Sequence, residues 1–473
     1  MSDMNLSLKQ INAWLTDAQL QGDAGLTIHR VNTDSRTCQV GDLFVALKGE
    51  RFDANDFLPE VSACGATAAL AHYGLEAVKL AGLQVPDTRI ALGQLAKGWR
   101  SQFQCPVIAV TGSNGKTTVT QMIASILRAG FGDDALATQG NLNNDIGVPQ
   151  TLLRMRNHHR SAVVELGMNH PGEIAVLADM TQATVALVNN AQREHLEHMA
   201  TVEAVAQENG EAIKALPANG VAVFPAHDEY SPLWKDLAGK RACMRFSMTD
   251  NAAEKAEVQL RKADWLSDHW AVEAQTPAGL LRAQLHIAGR HNVSNALAAT
   301  ACALAAGVSL ANIEQGLNSF EPVKGRSRAF GVQCQGRHIT VVDDTYNANP
   351  DSVLAALDVL AELPAPRLLV LGDMGEVGTQ GPEFHQEVGL YAAHLGLEHV
   401  LCLGDLAAYT ATACGLKAQH MTDIDALNQR VIQQLPQLGS VLVKGSRFMK
   451  MERVIEAINA CHDQNKKETT PCC

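Results

Sequence analysis

The chain reads Val107-Ile-Ala-Val-Thr-Gly-Ser-Asn-Gly-Lys-Thr-Thr118, an apolar run that leads into a turn with two glycines and then into a helix. The helix is indicated by apolar residues at the spacing of one buried face: Val119, Met122, Ile123, Ile126 and Leu127. A strand that turns directly into a helix is the unit from which mostly parallel α/β sheets are built. We therefore predict an α/β fold with a mostly parallel sheet around this turn.

The same turn has the residues of a phosphate-binding loop. Gly112 and Gly115 let the backbone bend around a phosphate, which then faces N–H groups at the helix N-terminus. Lys116 would reach the β- and γ-phosphates of ATP, and the Thr117 hydroxyl would hold Mg²⁺. The usual loop has a glycine where this chain has Val110, so a β–α turn without a ligand is the alternative. The predicted ATP-binding residues of the loop are Thr111, Gly112, Ser113, Asn114, Gly115, Lys116, Thr117 and Thr118.

Further strand-like runs divide the chain into three α/β domains. Residues 1–102 predict a small N-terminal domain, residues 103–325 a central domain with the phosphate loop, and residues 326–473 a doubly wound, Rossmann-like domain. The runs are Leu43–Leu47 in the first part, Val107–Val110, Ala162–Leu166, Val185–Val188 and Val221–Phe224 in the second, and Ile339–Val342, Leu368–Leu371, Val400–Leu403 and Val441–Val443 in the third.

Length, composition and charge exclude several classes of protein. A formal charge of −12 argues against electrostatic capture of nucleic acid. The 11 cysteines form no CxxC pair, which fits a reducing compartment better than a disulfide framework or a zinc site. The N-terminus has no signal-peptide core, and the longest apolar run, Ala296–Gly307, is too short to span a bilayer and predicts a buried helix. We expect a cytoplasmic monomer without membrane insertion.

Two residues that follow predicted strands are candidate metal ligands. Glu165 ends a buried strand at the carboxyl edge of the sheet, where its carboxylate would share Mg²⁺ with Thr117. His195 follows the next strand and would help to place a second ion. The alternatives are a capped strand end for Glu165 and a structural role for His195.

Eight motifs in order over nearly the whole chain resemble those of the Mur ligase family. They are Thr111–Thr117, Gly140–Pro149, Glu165–Glu173, His195–Glu197, Gly289–Asn295, Asp343–Pro350, Leu371–Glu376 and Val443–Arg447. The set is most similar to the branch that adds D-alanyl-D-alanine. The branch that adds diaminopimelate or lysine typically has Asp-Asn-Pro-Arg in its last domain, which this chain lacks.

The resemblance implies an ATP- and Mg²⁺-dependent amide ligase. Its substrates would be UDP-N-acetylmuramoyl-tripeptide and D-alanyl-D-alanine, and its product the pentapeptide precursor of peptidoglycan. The first domain would hold the UDP sugar, the second ATP, and the third the dipeptide. A P-loop kinase or hydrolase, and a nucleotide-gated binding protein without turnover, are the alternatives from other classes.

The resemblance also implies roles for individual residues. The catalytic set would be Lys116, Glu165, His195 and Arg326, with Arg326 reaching the γ-phosphate on domain closure; a surface ion pair is the alternative for this arginine. Adenine and ribose contacts would come from Asn292, Asn295, Asp343 and Tyr346, although Asn292 could instead cap a helix. Substrate contacts would come from Thr33, Asp34, Ser35, Arg36, Lys48, Gly49, Asn141, Asn143, Asn144, Asp145, Asn347, Asn349, Asp373 and Lys444; an Asx-rich turn before Pro350 is the alternative for Asn347 and Asn349.

One position departs from the family pattern. Many members carry a carbamylated lysine, which helps to hold the second Mg²⁺, where this chain has Asn209. We expect a water molecule to take the place of that ligand, with Glu208 as the alternative, and activity that does not depend on bicarbonate. An Asn209→Lys variant is expected to respond to bicarbonate.

Overall fold

The computed structural model describes residues 4–49, 52–249, 255–266 and 269–468, with side chains as far as residue 462. The strands of this part of the chain form three large sheets and one two-stranded pair, and helices pack on the large sheets. Each large sheet takes its strands from one continuous part of the chain. The predicted α/β fold is confirmed, whereas the domain boundaries at residues 102 and 325 stay predictions. No helix in the described ranges has both the length and the apolar character needed for a bilayer span.

The first sheet lies in the N-terminal part of the chain. Its strands and those of the two-stranded pair are β1 (Leu6–Ser7), β2 (Gln19–Gln21), β3 (Thr27–Ile28), β4 (Arg30–Asn32), β5 (Asp42–Val45), β6 (Ala68–Ala71) and β7 (Gly82–Gln84). The helices are α1 (Leu8–Trp14), α2 (Leu58–Ala63) and α3 (Thr88–Arg100). The sheet has the order β2-β7-β6-β5-β4, and β1 pairs with β3.

The central sheet has nine strands. They are β8 (Val107–Thr111), β9 (Ala135–Ala137), β10 (Ser161–Glu165), β11 (Val185–Val188), β12 (Val221–Pro225), β13 (Ala242–Ser247), β14 (Val258–Leu266), β15 (His269–Thr276) and β16 (Gly279–Leu285). Its helices are α4 (Lys116–Phe131), α5 (Gly147–Leu152), α6 (Glu173–Thr181), α7 (Leu196–Met199), α8 (Val202–Lys214), α9 (Ser231–Ala238), α10 (Arg290–Ala305) and α11 (Leu310–Asn318).

The order of the central sheet is β16-β15-β14-β13-β12-β11-β8-β10-β9. The seven strands from β14 to β9 in this order are all paired in parallel, which confirms the mostly parallel sheet. At the other end of the sheet, β15 pairs antiparallel with β14 and β16 pairs antiparallel with β15, an extension that the sequence did not predict. The predicted apolar helix is α10, which is buried along most of its length.

The third sheet has six strands, in the order β17-β18-β22-β19-β20-β21. They are β17 (Arg328–Cys334), β18 (Arg337–Asp344), β19 (Arg367–Gly372), β20 (His399–Leu403), β21 (Ala418–Met421) and β22 (Ser440–Lys444), with helices α12 (Pro350–Ala361), α13 (Gly381–His394), α14 (Ala407–Cys414), α15 (Ile424–Gln434) and α16 (Glu452–Glu468). Two separate apolar clusters, one with α12–α14 and one with α15 and α16, cover the sheet. This arrangement confirms the Rossmann-like, doubly wound prediction.

Strand register brings the functional residues together. In the central sheet Glu165 at the end of β10 pairs with Val110, and Val188 at the end of β11 pairs with Thr111, so both strands end beside the phosphate loop. In the third sheet Asp344 pairs with Lys444 at the ends of β18 and β22. The carboxyl ends of parallel strands are where open α/β sheets bind ligands.

Candidate active site

A cavity of about 1050 Å³ lies between these two sheet edges. The predicted site residues that line it are Ser113, Asn114, Gly115, Lys116, Thr117, Thr118, Asn143, Asn144, Asp145, Glu165, His195, Asn295, Arg326, Tyr346, Asn347, Asn349 and Lys444. The predicted residues outside its lining are Thr33, Asp34, Ser35, Arg36, Lys48, Gly49, Thr111, Gly112, Asn141, Asn292, Asp343 and Asp373. The cavity therefore gathers most of the predicted phosphate-loop residues and all three predicted metal ligands, Thr117, Glu165 and His195. It does not include the residues that the resemblance assigns to the uridine nucleotide, which are Thr33, Asp34, Ser35, Arg36, Lys48 and Gly49.

The phosphate loop is held in shape by glycine geometry and by amide side chains. Gly115 has φ +80°, and a Cβ atom there would lie 2.6 Å from Asn295 Oδ1, so glycine is required for both reasons. The Gly112 N–H donates to Asn209 Oδ1 over 2.8 Å, and the Asn114 N–H donates to Asn190 Oδ1 over 2.8 Å. These contacts fix the loop before any phosphate arrives.

Lys116 begins α4 and folds back over the loop. Its Nζ donates to the carbonyl oxygens of Gly112 over 2.6 Å and Ser113 over 3.1 Å. The same atom lies 2.8 Å from Glu194 Oε1. Glu194 was not predicted as a site residue from the sequence. The only signal in the sequence is its position after β11 and directly before His195.

Glu165 and Thr117 form the predicted metal corner. The Thr117 hydroxyl donates to Glu165 Oε1 over 3.1 Å, and Asn143 Nδ2 donates to the same oxygen over 2.8 Å. Glu165 is 1% exposed, and its Oε2 has no hydrogen-bond partner among the described residues. A buried carboxylate oxygen without a partner, beside a hydroxyl, fits Mg²⁺. Among the described residues, no three His, Cys, Asp or Glu side chains gather around one point, so nucleotide and water oxygens would complete the shell.

His195 lies between two carboxylates. Its Nδ1 is 2.5 Å from Glu376 Oε2, and its Nε2 is 3.4 Å from Glu194 Oε1. Burial acts to lower the pKa of His195, but the hydrogen bonds and charges of the two glutamates outweigh it and raise the pKa to about 9. A raised pKa opposes metal binding, which needs an unprotonated ring nitrogen. Metal binding by His195 stays a prediction. It would also require Glu194 or Glu376 to move away from the ring nitrogen that binds the metal.

Arg326 extends from the connection between the central and third sheets to the metal corner. Its Nη2 donates to the Thr117 hydroxyl over 3.3 Å, and its Cζ lies 3.7 Å from the centre of the Tyr346 ring. Within the described ranges these partners are a hydroxyl group and an aromatic ring, which gives no support to the alternative of a surface ion pair. Contact of this guanidinium with the γ-phosphate stays a prediction.

Three family models match the chain. The Mur ligase middle domain matches residues 110–303, the Mur ligase glutamate ligase domain matches residues 327–447, and the Mur ligase catalytic domain matches residues 27–100. The chain belongs to the Mur ligase family.

Named relatives cover this Mur ligase almost completely. The UDP-N-acetylmuramoyl-tripeptide--D-alanyl-D-alanine ligases of Escherichia coli (strain K12) and Haemophilus influenzae are 41% and 39% identical to it, each over 96% of this chain and 98% of the relative. A crystal structure of MurF from Acinetobacter baumannii, 35% identical, superimposes with a TM-score of 0.88 over 97% of this chain and 100% of the other. MurF ligase from Thermotoga maritima, solved in complex with ADP, is 26% identical with a TM-score of 0.79, over 92% of this chain and 98% of the other.

The asparagines of α10 form a buried network in this Mur ligase. Asn292 Nδ2 donates to the Ala288 carbonyl oxygen over 2.7 Å, and Asn295 Nδ2 donates to Asn292 Oδ1 over 2.8 Å. The N-cap residue of the helix is Gly289, so the alternative that Asn292 caps this helix is wrong. Adenine contacts by the two asparagines stay a prediction, and of the two only Asn295 lines the cavity.

The polar cluster after β18 holds the connection to the third sheet. Asp343 accepts from the Gly325 N–H over 3.0 Å and from the Thr345 hydroxyl over 2.7 Å, so its carboxylate organises this connection. Lys444 Nζ lies 2.6 Å from Asp344 Oδ2. Burial acts to raise the pKa of Asp344, but the charge and hydrogen bond of Lys444 outweigh it, so the net pKa is lowered. The ribose contact predicted for Asp343 stays a prediction.

Other predicted dipeptide residues divide between the cavity and the interior of the third sheet. Asn349 caps α12 by accepting from the Ser352 N–H over 2.8 Å, so a structural role before Pro350 is real. Its Nδ2 also donates to Asn114 Oδ1 over 2.9 Å, which links the cap to the phosphate loop. Asp373 accepts from the Ala407 N–H over 2.7 Å and does not line the cavity.

Arg193 links the segment after β11 to helices α12 and α13, which pack on the third sheet. Its guanidinium contacts Asp351 over 2.6 Å and Glu387 over 2.7 Å, and its backbone N–H donates to Asp351 over 2.8 Å. Its Cζ lies 5.3 Å from the centre of the Phe384 ring. Sequence reasoning missed this residue because its partners lie more than 150 positions away along the chain.

The predicted uridine residues lie near the first sheet, and the side chains of Arg36, Lys48 and Thr33 contact other protein groups. Arg36 Nη2 is 2.7 Å from Asp34 Oδ2, and its hydrogen bonds lower the pKa of Asp34 to about 2. Lys48 lies 3.9 Å from Asp53, and the Thr33 hydroxyl accepts from Gln150 Nε2 over 2.9 Å. Glu50 and Arg51, which follow Lys48 and Gly49 in the sequence, lie outside the described residues.

Asn209 and Glu208 are both occupied by backbone groups. Asn209 is buried and donates its Nδ2 to the Val205 carbonyl oxygen over 3.0 Å, while its Oδ1 holds the phosphate loop. Glu208 accepts from the Gly172 N–H over 2.9 Å and the Ile174 N–H over 2.8 Å at the start of α6. Metal binding by Glu208 would therefore leave the start of α6 without these acceptors.

Proposed function

We propose that this Mur ligase joins D-alanyl-D-alanine to UDP-N-acetylmuramoyl-tripeptide at the expense of ATP, giving the muramoyl pentapeptide, ADP and phosphate. The observation that carries the proposal is the convergence of Lys116, Thr117, Glu165 and Arg326 on one cavity between two sheets. Relatives of the same name, nearly full length in both chains, support the choice of substrates.

The chemistry requires the tripeptide carboxylate to be activated first. A carboxylate is a poor electrophile, so its oxygen attacks the γ-phosphorus of ATP, the bond to ADP breaks, and an acyl phosphate forms. Lys116 and Arg326 would offset the charge that develops on the transferring phosphoryl group. Thr117 and Glu165 would hold Mg²⁺, which supplies further charge neutralisation at the phosphates when it is bound.

The second step joins the two peptides. The amine of D-alanyl-D-alanine attacks the acyl carbon, phosphate leaves, and the amine proton is lost to give a neutral amide. Water would compete for the same carbon, so the two sheets must remain closed over the intermediate. Arg193 with Asp351 and Glu387, and Asn114 with Asn349, supply the contacts that hold them together.

We place the reaction in the cytoplasm and expect a monomer. ATP is available there, and the nine cysteines of the described residues form no disulfide bond, as expected in a reducing compartment.

Phosphate release with UDP-muramoyl-tripeptide, ATP and Mg²⁺ tests the function. Sustained release is expected only when D-alanyl-D-alanine is added, with one amide formed per phosphate. Release that is equally fast without the dipeptide would favour a hydrolase or kinase. Ligation of diaminopimelate or lysine to the muramoyl dipeptide would favour the neighbouring branch of the family.

The order of the steps has its own test. With the tripeptide and ATP but no dipeptide, positional isotope exchange in ATP or borohydride trapping is expected to reveal the acyl phosphate. Failure of both methods in an enzyme that ligates normally would contradict this order.

A further inference from the structure

Glu194 places a second buried carboxylate at the phosphate loop. The residue is 8% exposed and lines the cavity, and its Oε1 contacts Lys116 Nζ at 2.8 Å. Its Oε2 is buried and has no hydrogen-bond partner among the described residues. Glu165 has a buried oxygen of the same kind, so two carboxylates face a cavity that must accept the polyphosphate of ATP.

This arrangement creates a charge conflict when ATP binds. Lys116 is the closest cation to Glu194, and the same ammonium group is required at the β- and γ-phosphates. His195 Nε2 lies farther away, 3.4 Å from the same oxygen, and its Nδ1 already contacts Glu376. A buried carboxylate that loses its cation beside a polyphosphate is strongly unfavourable unless another cation replaces the one that left.

We propose that Glu194 is a ligand of a Mg²⁺ ion that enters with the nucleotide, and that Lys116 occupies this carboxylate until the polyphosphate draws the ammonium group away. The proposal rests on the ATP-dependent function above. Mg²⁺ is commonly held by one or two carboxylates together with substrate phosphates and water, so Glu194 needs no further protein ligand. This ion is distinct from the one at Glu165, because Glu194 contacts Lys116 whereas Glu165 contacts Thr117 and Asn143.

The alternative is that Glu194 only holds Lys116 in place. The two roles predict opposite effects of Glu194→Gln on nucleotide binding without metal. If Glu194 is a ligand exchanged between Lys116 and Mg²⁺, removing its charge frees Lys116 and removes repulsion, so metal-free AMPPNP should bind about threefold to tenfold more tightly. If Glu194 only positions Lys116, metal-free AMPPNP should bind more weakly.

The decisive experiment counts Mn²⁺ ions in the AMPPNP complex of the full chain by electron paramagnetic resonance. The wild type is expected to bind two ions, and Glu194→Gln is expected to lose the second or to bind it about tenfold or more weakly. Glu203→Gln removes an equal charge from an exposed residue in the first turn of α8 and serves as the matched control. Two ions of unchanged affinity in Glu194→Gln would overturn the proposal, as would weaker metal-free AMPPNP binding.

Glu194→Asp separates ligand chemistry from damage to the fold. It keeps the carboxylate on a shorter side chain, so it is expected to retain two Mn²⁺ ions with a weaker second site. Loss of the second ion as complete as in Glu194→Gln would contradict the proposal. The Mn²⁺ and AMPPNP measurements need neither peptide substrate, so a failure of D-alanyl-D-alanine ligation would be recognised separately.

Discussion

The side chains of the phosphate loop and of the predicted uridine region are held under different constraints. At the loop, backbone N–H groups are fixed by buried amides, and Lys116 is held by three oxygen atoms. In the uridine region, the Arg36 side chain is 86% exposed and its partner is the neighbouring Asp34. Groups that stabilise a transition state must be in place beforehand, whereas exposed groups suffice to bind the non-reacting end of a long substrate. Substitutions at the two ends should therefore differ in size and in kind.

Lys116→Ala should have the largest effect. We expect kcat to fall on the order of 10²-fold or more, because charge stabilisation at the transferring phosphoryl group is lost. The thermal melting curve should show that the variant is folded. Lys97→Ala, which removes an exposed lysine paired with Asp179, is the control and should keep wild-type turnover. Near wild-type turnover in a folded Lys116→Ala variant would remove Lys116 from the mechanism.

Asn209→Ala tests whether the hydrogen bond from the Gly112 N–H to the Asn209 side chain holds the phosphate loop in its conformation. The Gly112 N–H loses its acceptor, so we expect a loss of about 1–3 kcal/mol in the free energy of unfolding. We also expect kcat to fall about tenfold, because a misplaced phosphate loop weakens positioning. Chemical denaturation and steady-state kinetics measure the two effects, and full activity with unchanged stability would refute this account.

Bicarbonate supplies a second test at the same position. Wild-type activity should not change when bicarbonate is added or removed, because the Asn209 amide cannot be carbamylated and both its ends bind backbone groups. An Asn209→Lys variant should respond to bicarbonate if this position corresponds to the carbamylated lysine. Absence of a response in an active Asn209→Lys variant would mean that the correspondence is wrong.

Arg193→Ala should loosen the closed arrangement without touching the phosphate loop. We expect kcat to fall about threefold to tenfold and some acyl phosphate to be lost to water, so that phosphate release exceeds amide formation. The ratio of phosphate to amide is the measurement. Arg367→Ala is the matched control, because Arg367 binds Glu398 with comparable geometry within the third sheet. Equal ratios in the two variants would exclude a special role for Arg193.

Arg36→Ala should have the smallest effect. At such an exposed position we expect the KM for the UDP-linked substrate to rise about twofold to fivefold while kcat changes by less than about twofold. The KM for ATP, measured in the same experiments, is the internal control. A fall in kcat as large as that of Lys116→Ala would mean that the two ends do not differ.

The order of apolar residues and glycines along the sequence was enough to predict individual strands and the phosphate loop. The run Val185–Val188 is strand β11, and the glycine turn before Lys116 is the phosphate loop. The antiparallel strands β14–β16 were missed, although buried and exposed residues alternate along β15 and β16. Arg193 and Glu194 were missed for a different reason. Their roles depend on partners brought close by the tertiary fold, and nothing in the local sequence marks an arginine whose carboxylate partners lie in the distant helices α12 and α13.

Arg193 and Glu194 are neighbours in the chain, yet Arg193 contacts Asp351 in α12 and Glu194 contacts Lys116 at the phosphate loop. Two equilibria that share one short segment are thermodynamically coupled, and such coupling acts equally in both directions. A nucleotide that rearranges Lys116 and Glu194 would thereby alter closure, and closure would alter nucleotide affinity. A small molecule that separates Arg193 from Asp351 would therefore be expected to change ATP affinity through this coupling.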